Sequence, residues 1–320
     1  MTKLQYIKCH GSGNDFIMID GVAQADRLSG VDLAALARTA CDRSKGIGSD
    51  GVLLLVSSAS GYGMRMFNPD GTEAGMCGNG IRCVARLAER YVGQREFDLA
   101  SGGRIIRVRH AEPICRGIET YGAQIGIRTA SDDFAFMAGR ERFVEQPIEA
   151  LADDLLFTAI DTGNPHLVAR VGRIDLERLD ELGRRANGMR DILPHGVNLS
   201  LCEQRDGHTL FVATYERGAG ITLSCGTAMT SAATAAVLAG RMQAERDIRV
   251  MNRGGMVLCR THIGREGIVT RLTGNATFEW SGSLDFDGEA LRYDVSDKTD
   301  EQQAWLRFVD EINAPSSPKR

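Results

Sequence analysis

Residues 76–83 read MCGNGIRC and residues 224–227 read SCGT, so a cysteine stands directly before a glycine-led helix start twice, 148 positions apart (225 − 77). Aligning the two halves on these cysteines brings other landmarks into the same order. GND at Gly13–Asp15 precedes the apolar run Phe16–Ile19, and GNP at Gly163–Pro165 precedes His166–Ala169. Asn14 lies 63 residues before Cys77 (77 − 14), and Asn164 lies 61 before Cys225 (225 − 164). Gly51 of DGVLLL and Gly196 of HGVNLSL follow, 26 and 29 residues before their cysteines (77 − 51, 225 − 196). Asn68 and Glu216 each stand nine residues before (77 − 68, 225 − 216). Gly102 of FDLASGGRIIRVR and Gly254 of IRVMNRGGMVLCR come 25 and 29 after (102 − 77, 254 − 225). Ordered landmarks with offsets this close point to an internal duplication. Its period is too long for a solenoid and matches one ordinary domain.

The expected fold is therefore α/β (α+β), with two pseudo-symmetric domains from the duplication, each a sheet wrapped round a central buried helix. The N-terminal repeat is expected over residues 1–124, completed by 273–284, and the C-terminal repeat over 125–272, with the boundary within 120–128. Ile81, Val84, Ala85, Ala88, Tyr91 and Val92 follow helical spacing, which predicts a helix over 78–92. The segment 226–239 is Ala-rich and almost uncharged, as a helix buried all round would be, and Gly240 is a natural stop. Residues 285–320 fall outside the repeat. There Thr299 and Gln302 fit a capping box, and Trp305, Phe308, Val309 and Ile312 form one apolar face, expected to dock on the chain itself. The tail APSSPKR reads as disordered.

The bulk numbers exclude several classes. The chain has 320 residues, 43% hydrophobic, with a formal net charge of −4 and no basic stripe. Nucleic acid is thus a poor partner. No apolar run approaches the ~20 residues of a membrane span, and MTKLQYIKCHGSGNDF lacks the apolar stretch of a signal peptide. A soluble cytoplasmic protein is expected. Its eight cysteines are expected to be free thiols there. No CxxC pair occurs, so no metal site is expected.

A helix N-terminus carries unpaired N–H groups and about half a positive charge. It holds a carboxylate without help from arginine, and a cysteine there is expected to have a lowered pKa. Two such ends gripping one small carboxylate would leave a sulfur on either side of its α-carbon. That suits inversion of a carbon acid: a thiolate removes the proton from one face, and a thiol returns one from the other. With no lysine in a cofactor context, the reaction reads as cofactor-free.

The stretches HGSGNDF, CDRSKGIGSDG, FNPDGTEAGMCGNGIRCVAR, GNPH and ERGAGITLSCGT resemble the diaminopimelate epimerase family over about residues 3–284. The resemblance implies a duplicated two-domain fold and cofactor-independent interconversion of LL- and meso-diaminopimelate in lysine and cell-wall precursor synthesis. It also implies a homodimer. By position, Cys77 and Cys225 look like the acid/base thiols, and His166 and Glu216 match positions that tune them. Gly78, Asn79, Gly226 and Thr227 look like the carboxylate-binding helix starts. Asn14, Asn68, Asn164, Asn198, Glu216 and Arg217 look like substrate-holding residues, with Arg217 suited to a distal carboxylate. The chain departs from the family pattern at Ile221, at Ala228, Met229 and Thr230, and in NGMRDILPHGVN before Asn198. These departures keep open a related racemase acting on another amino acid.

Plainer readings stand beside these. Either cysteine alone could be structural packing. GSGNDF could pass for a nucleotide loop, though it lacks the GxGxxG order. Asn14 and Asn164 could only shape turns, His166 could be a surface histidine, and Glu216 could pair with Arg217. A non-catalytic amino-acid binding protein and a thiol-redox protein are the alternatives of other classes.

Overall fold

The computed structural model describes residues 2–58, 61–137 and 139–313, and the 314–320 tail read as disordered lies outside them. The chain divides into two compact units, residues 1–123 with 273–320, and residues 124–272.

In the first unit, β1 (Thr2–Gly11) and β2 (Asn14–Asp20) form a hairpin. The short α1 (Ala25–Leu28) and the amphipathic α2 (Leu33–Cys41), capped by Asp32, lead to β3 (Val52–Ser58), which runs parallel to β2. Strand β4 (Gly61–Phe67) returns antiparallel to β3, and the two-residue β5 (Glu73–Ala74) folds back on it. Helix α3 (Gly78–Val92) follows, then the hairpin β6 (Glu96–Ser101) and β7 (Arg104–Ala111), with β6 parallel to β4. Strand β8 (Thr120–Ile127) pairs with β7 and carries the chain across the boundary.

The second unit repeats this order. The short β9 (Gln146–Ile148) pairs with β10 (Ala152–Asp161), which makes a hairpin with β11 (Pro165–Val171). Helix α4 (Leu176–Gly188), capped by Asp175, leads to β12 (Asn198–Gln204), parallel to β11. Strand β13 (Thr209–Glu216) is antiparallel to β12, and β14 (Gly220–Ile221) folds back on it. Then come α5 (Gly226–Leu238) and the hairpin β15 (Ile248–Asn252) and β16 (Gly255–Gly264), with β15 parallel to β13. Strand β17 (Gly267–Asn275) returns the chain to the first unit. There β18 (Thr277–Phe286) pairs with β1, the short β19 (Leu291–Tyr293) and β20 (Asp297–Lys298) pair with β18, and α6 (Glu301–Asn313) ends the fold. The duplication read from two cysteines is thus present strand by strand in the pairing.

Each unit has its own apolar core. In the first, Leu4, Tyr6, Ile17, Ile19, Leu36, Val52 and Leu54 gather with Leu284 and Phe286. In the second, Phe157, Leu167, Leu179, Leu182, Leu199 and Leu201 do the same. Helix α3 spans the expected residues and ends at Gly93 in the left-handed region. Ile81, Val84, Ala85 and Ala88 are fully buried, but Tyr91 is exposed, and its hydroxyl donates to Asp20 at 2.5 Å. Helix α5 is buried almost all round. Its hydroxyls are satisfied within the helix, since Thr230, Ser231 and Thr234 each donate to the carbonyl four residues earlier at 2.8–2.9 Å.

Helix α6 docks on its own unit through Trp305, packed against Cys115 and Ile118. The expected capping box does not form. Helix α6 begins at Glu301, and Gln302 turns away from the Thr299 backbone to bond His10 at 2.7 Å. A partner inside the fold outcompetes the local one. Among the described residues no helix is long and apolar enough to cross a membrane.

Candidate active site

Cys77 and Cys225 are the N-cap residues of α3 and α5, with closely matched backbones (φ −135°, ψ 115° and φ −125°, ψ 111°). Each carbonyl accepts the first helical bond, from Ile81 at 2.9 Å and Met229 at 3.0 Å. Five residues beyond each cysteine, a side chain donates to the carbonyl of the leading glycine: Arg82 to Gly78 at 3.0 Å, and Thr230 to Gly226 at 2.9 Å. The Gly-Gly turns of the repeat also have a shared task. Ser101 Oγ donates to the Gly75 carbonyl at 3.3 Å, two residues before Cys77. Gly254 N–H donates to the Leu223 carbonyl at 3.0 Å, two residues before Cys225. In both units the β6–β7 or β15–β16 turn thus buttresses the approach to the cysteine.

In the first unit, Cys77 Sγ accepts from Gly80 N–H at 3.4 Å and donates to Asn14 Oδ1 at 3.8 Å. Asn14 Nδ2 donates to Asp50 Oδ2 at 2.6 Å, and Asn79 Nδ2 donates to Asn14 Oδ1 at 3.3 Å. Asn79 Oδ1 is buried with no partner. A buried amide oxygen left unpaired is costly unless a ligand completes it. The leftover atom of this side chain is an acceptor. The loop before Asn14 is pressed onto α3: a Cβ at Gly11 would lie 2.9 Å from the Asn79 carbonyl, and Ser12 is held at φ 55°. Asn68 does not join this cluster. Its side chain donates to Thr72 Oγ1 at 2.9 Å within its own turn.

In the second unit, Cys225 Sγ lies 3.4 Å from Thr227 Oγ1, and the Glu216 carboxylate acts on the thiol. Glu216 Oε1 accepts from Thr222 at 2.5 Å. Among the described residues no ion pair joins Glu216 to Arg217, so the plain pairing reading is set aside. Arg217 is exposed, and Nη1 donates to the His195 carbonyl at 2.6 Å. Its backbone N–H donates to Asn198 Oδ1 at 2.8 Å, which fixes Asn198. His166 is fully buried, not a surface histidine. Nε2 contacts Asn164 Oδ1 at 3.3 Å, and Nδ1 is buried without a partner. Asn164 Oδ1 also accepts from Thr162 at 2.8 Å. Met229 points inward, its sulfur 3.0 Å from Asn252 Nδ2, so its bulk fills the interior.

The expected lowering of the thiol pKa values is overturned. Burial pushes Cys77 up to about 11, although the Gly80 and Asn79 N–H groups pull it down. Burial also pushes Cys225 well above the usual thiol range, and the Glu216 carboxylate pushes the same way. The helix end acts in the expected direction, but desolvation of a thiolate outweighs half a charge. In both half-sites burial thus favours the thiol over the thiolate. Burial takes His166 down to about 3, helped by the Arg217 charge, so it is neutral.

Several residues that complete these half-sites were not singled out in the sequence. Asp50 sits in CDRSKGIGSDG and orients Asn14. Fully buried Arg82 donates to Asn275 O, Gly78 O and Ser12 Oγ. Arg82 shares its helix face with Asn79, Arg86 and Glu89, so in the sequence it reads as part of an ordinary polar face and its burial is concealed.

Two copies of a sheet-and-helix unit, each with a cysteine capping its buried helix, define a duplicated α/β fold shared with known isomerases. The structure is similar to a hydroxyproline epimerase from Agrobacterium vitis (TM-score 0.62, 15% identity, 91% of this chain and 93% of that one). It is also similar to a phenazine biosynthesis protein of the PhzF family from Bacillus anthracis (TM-score 0.64, 15% identity, 89% and 100%). At such identity these likenesses speak for the fold. The diaminopimelate epimerase family model matches residues 6–116 and 158–279. Diaminopimelate epimerases of Clostridium acetobutylicum (35% identity, 93% of this chain and 91% of that one) and Lactiplantibacillus plantarum (36%, 96% and 98%) match nearly end to end. The chain belongs to the diaminopimelate epimerase family.

Proposed function

We propose that the protein interconverts LL- and meso-diaminopimelate without a cofactor, with Cys77 and Cys225 as the two proton carriers. The observation that carries this reading is the matched pair of helix-capping cysteines, each before a glycine whose carbonyl is satisfied from within its helix. One sulfur, as thiolate, takes the α-proton, and the bonding electrons pass onto the substrate carboxylate. The other, as thiol, delivers its proton to the opposite face and is left as thiolate, so each turnover reverses the two roles. N–H groups at Gly78, Asn79, Gly226 and Thr227 meet the charge growing on the carboxylate. Asn14, Asn68, Asn164 and Asn198 hold polar groups of the substrate, with Glu216 for an ammonium and Arg217 for the distal carboxylate. His166 and Glu216 set the protonation of the thiols. Glu216 is the carboxylate acting on Cys225.

The reading includes a cytosolic homodimer serving lysine and cell-wall precursor synthesis, which size-exclusion chromatography with light scattering checks for assembly. The direct test is incubation in D₂O with LL-diaminopimelate and a panel of other amino acids, with α-deuteration read by mass. Exchange into diaminopimelate, lost in Cys77→Ala and in Cys225→Ala, is expected. No exchange in any compound, or exchange that survives both substitutions, rejects the reading.

A further inference from the structure

The C-terminal helix α6 makes contacts that the apolar Trp305 anchor does not require. Its first turn reaches two elements that build the Cys77 half-site. Glu301 takes a bidentate pair from Arg86 of α3, with Nη1 and Nη2 each 2.7 Å from a carboxylate oxygen. Both side chains are largely buried, and Glu301 Oε2 also accepts from Phe278 N–H at 2.9 Å. Such a fork fixes direction as well as distance. Gln302 Oε1 lies 2.7 Å from His10 Nε2, and the His10 ring packs against Trp305 at 5.7 Å between centroids.

His10 passes this contact to the loop that carries Asn14. Gly13 N–H donates to His10 Nδ1 at 3.2 Å. A backbone N–H can only donate, so Nδ1 is the acceptor and Nε2 carries the hydrogen. Gln302 must then present its oxygen. Burial keeps His10 neutral, its pKa taken down to about 4. Asn275, with Nδ2 3.2 Å from the same Nδ1 and Oδ1 accepting from Ser12 N–H at 2.8 Å, closes the ring of contacts. They hold Ser12 (φ 55°) and Gly13 (φ 80°) in the left-handed region, which for Ser12 is a strained state that needs support. The next residue is Asn14, which accepts from the Cys77 thiol.

We infer that the first turn of α6 is a positioning device for Cys77: Gln302 sets the Asn14 loop through His10, and Glu301 sets helix α3 through Arg86. The inference rests on the proposed role of Cys77. Neither residue touches the reacting atoms.

The test compares Gln302→Met, which keeps the shape but removes the acceptor, with Gln302→Glu, which keeps an acceptor for His10. Two measurements are made: steady-state epimerisation of diaminopimelate, and the rates at which iodoacetamide alkylates Cys77 and Cys225 without substrate, read by peptide mass. Gln302→Met is expected to lower kcat about tenfold with KM within twofold. It should also alkylate Cys77 at least threefold faster while Cys225 keeps its rate. Gln302→Glu should keep both readouts within twofold of the parent. If Gln302→Met leaves Cys77 alkylation unchanged, or alters Cys77 and Cys225 alike, the inference fails. If the parent does not act on diaminopimelate, the functional reading fails while the alkylation arm still decides the positioning role. A change shared equally by both Gln302 variants also overturns it, because the acceptor then does not matter.

Discussion

Asn14 donates from Nδ2 to Asp50 Oδ2 at 2.6 Å, and that bond decides which way two amides face. A carboxylate only accepts, so Asn14 must present its oxygen to Asn79 and Cys77. Asn79 must then spend its NH₂ on Asn14 and leave its own oxygen as the unpaired, buried acceptor. Asp50→Asn lets both amides flip. We expect kcat to fall by up to about 100-fold, the cost of a misplaced orienting group, with the melting temperature shifted by only a few degrees because Asp50 is half-exposed in its pair with Arg43. Steady-state kinetics and a thermal melt check this, and full activity in Asp50→Asn would remove the orienting role.

Burial raises the Cys225 thiol pKa, and the negative charge of the Glu216 carboxylate adds to the rise. Glu216→Gln removes the repulsion, so the thiolate becomes easier to form. The pH at which Cys225 is half-alkylated should move down, while Cys77 keeps its titration. Epimerisation should nonetheless drop at least tenfold, since a carboxylate within the proposed substrate site is lost. An upward move of the Cys225 titration would contradict the assigned cause.

Acid stability follows from two buried neutral histidines. Burial holds His10 and His166 at about 4 and about 3, against an ordinary value of about 6.5. The unfolded chain takes up their protons first. Their contribution is therefore fully present above pH 6.5 and is lost as pH falls toward the folded values. Each adds a slope of at most about 1.4 kcal/mol per pH unit in that window. Urea midpoints at pH 7, 6 and 5 should fall progressively, and His166→Asn should flatten the trend. Midpoints level between pH 7 and 5 would contradict it.

Gly102 tests the buttress. Its φ is +54°, and a Cβ there would lie 1.7 Å from the Gly75 carbonyl. Gly102→Ala must therefore push the segment leading into Cys77. A loss of about 1–3 kcal/mol is expected from overpacking, along with slower epimerisation. The measurement is urea unfolding beside kinetics, and a variant equal to the parent in both would show that the turn does not bear on the cysteine.

The linear chain determined the duplication, the mixed α/β class, the reach of α3 and the burial of α5. Periodicity and repeat spacing are local properties, and a buried helix such as MTSAATAAVLA writes its surroundings into its composition. The cysteines could be placed at helix starts for the same reason, because Cys-Gly before a helical pattern is a contiguous signal. Only the tertiary structure decided the direction in which the pKa values of those thiols move. The helix end favours thiolate, but the cost of drying the sulfur depends on every element packed round it, which no local pattern contains. It likewise decided that Gln302 bonds His10 and not its own helix start, 292 positions apart in the chain (302 − 10). It also decided that Asp50 orients Asn14 and that Arg82 sits fully buried on three oxygens. A hydrogen bond between distant residues leaves no periodic trace. It exists only where the fold brings donor and acceptor within about 3 Å and removes the water that would otherwise satisfy both.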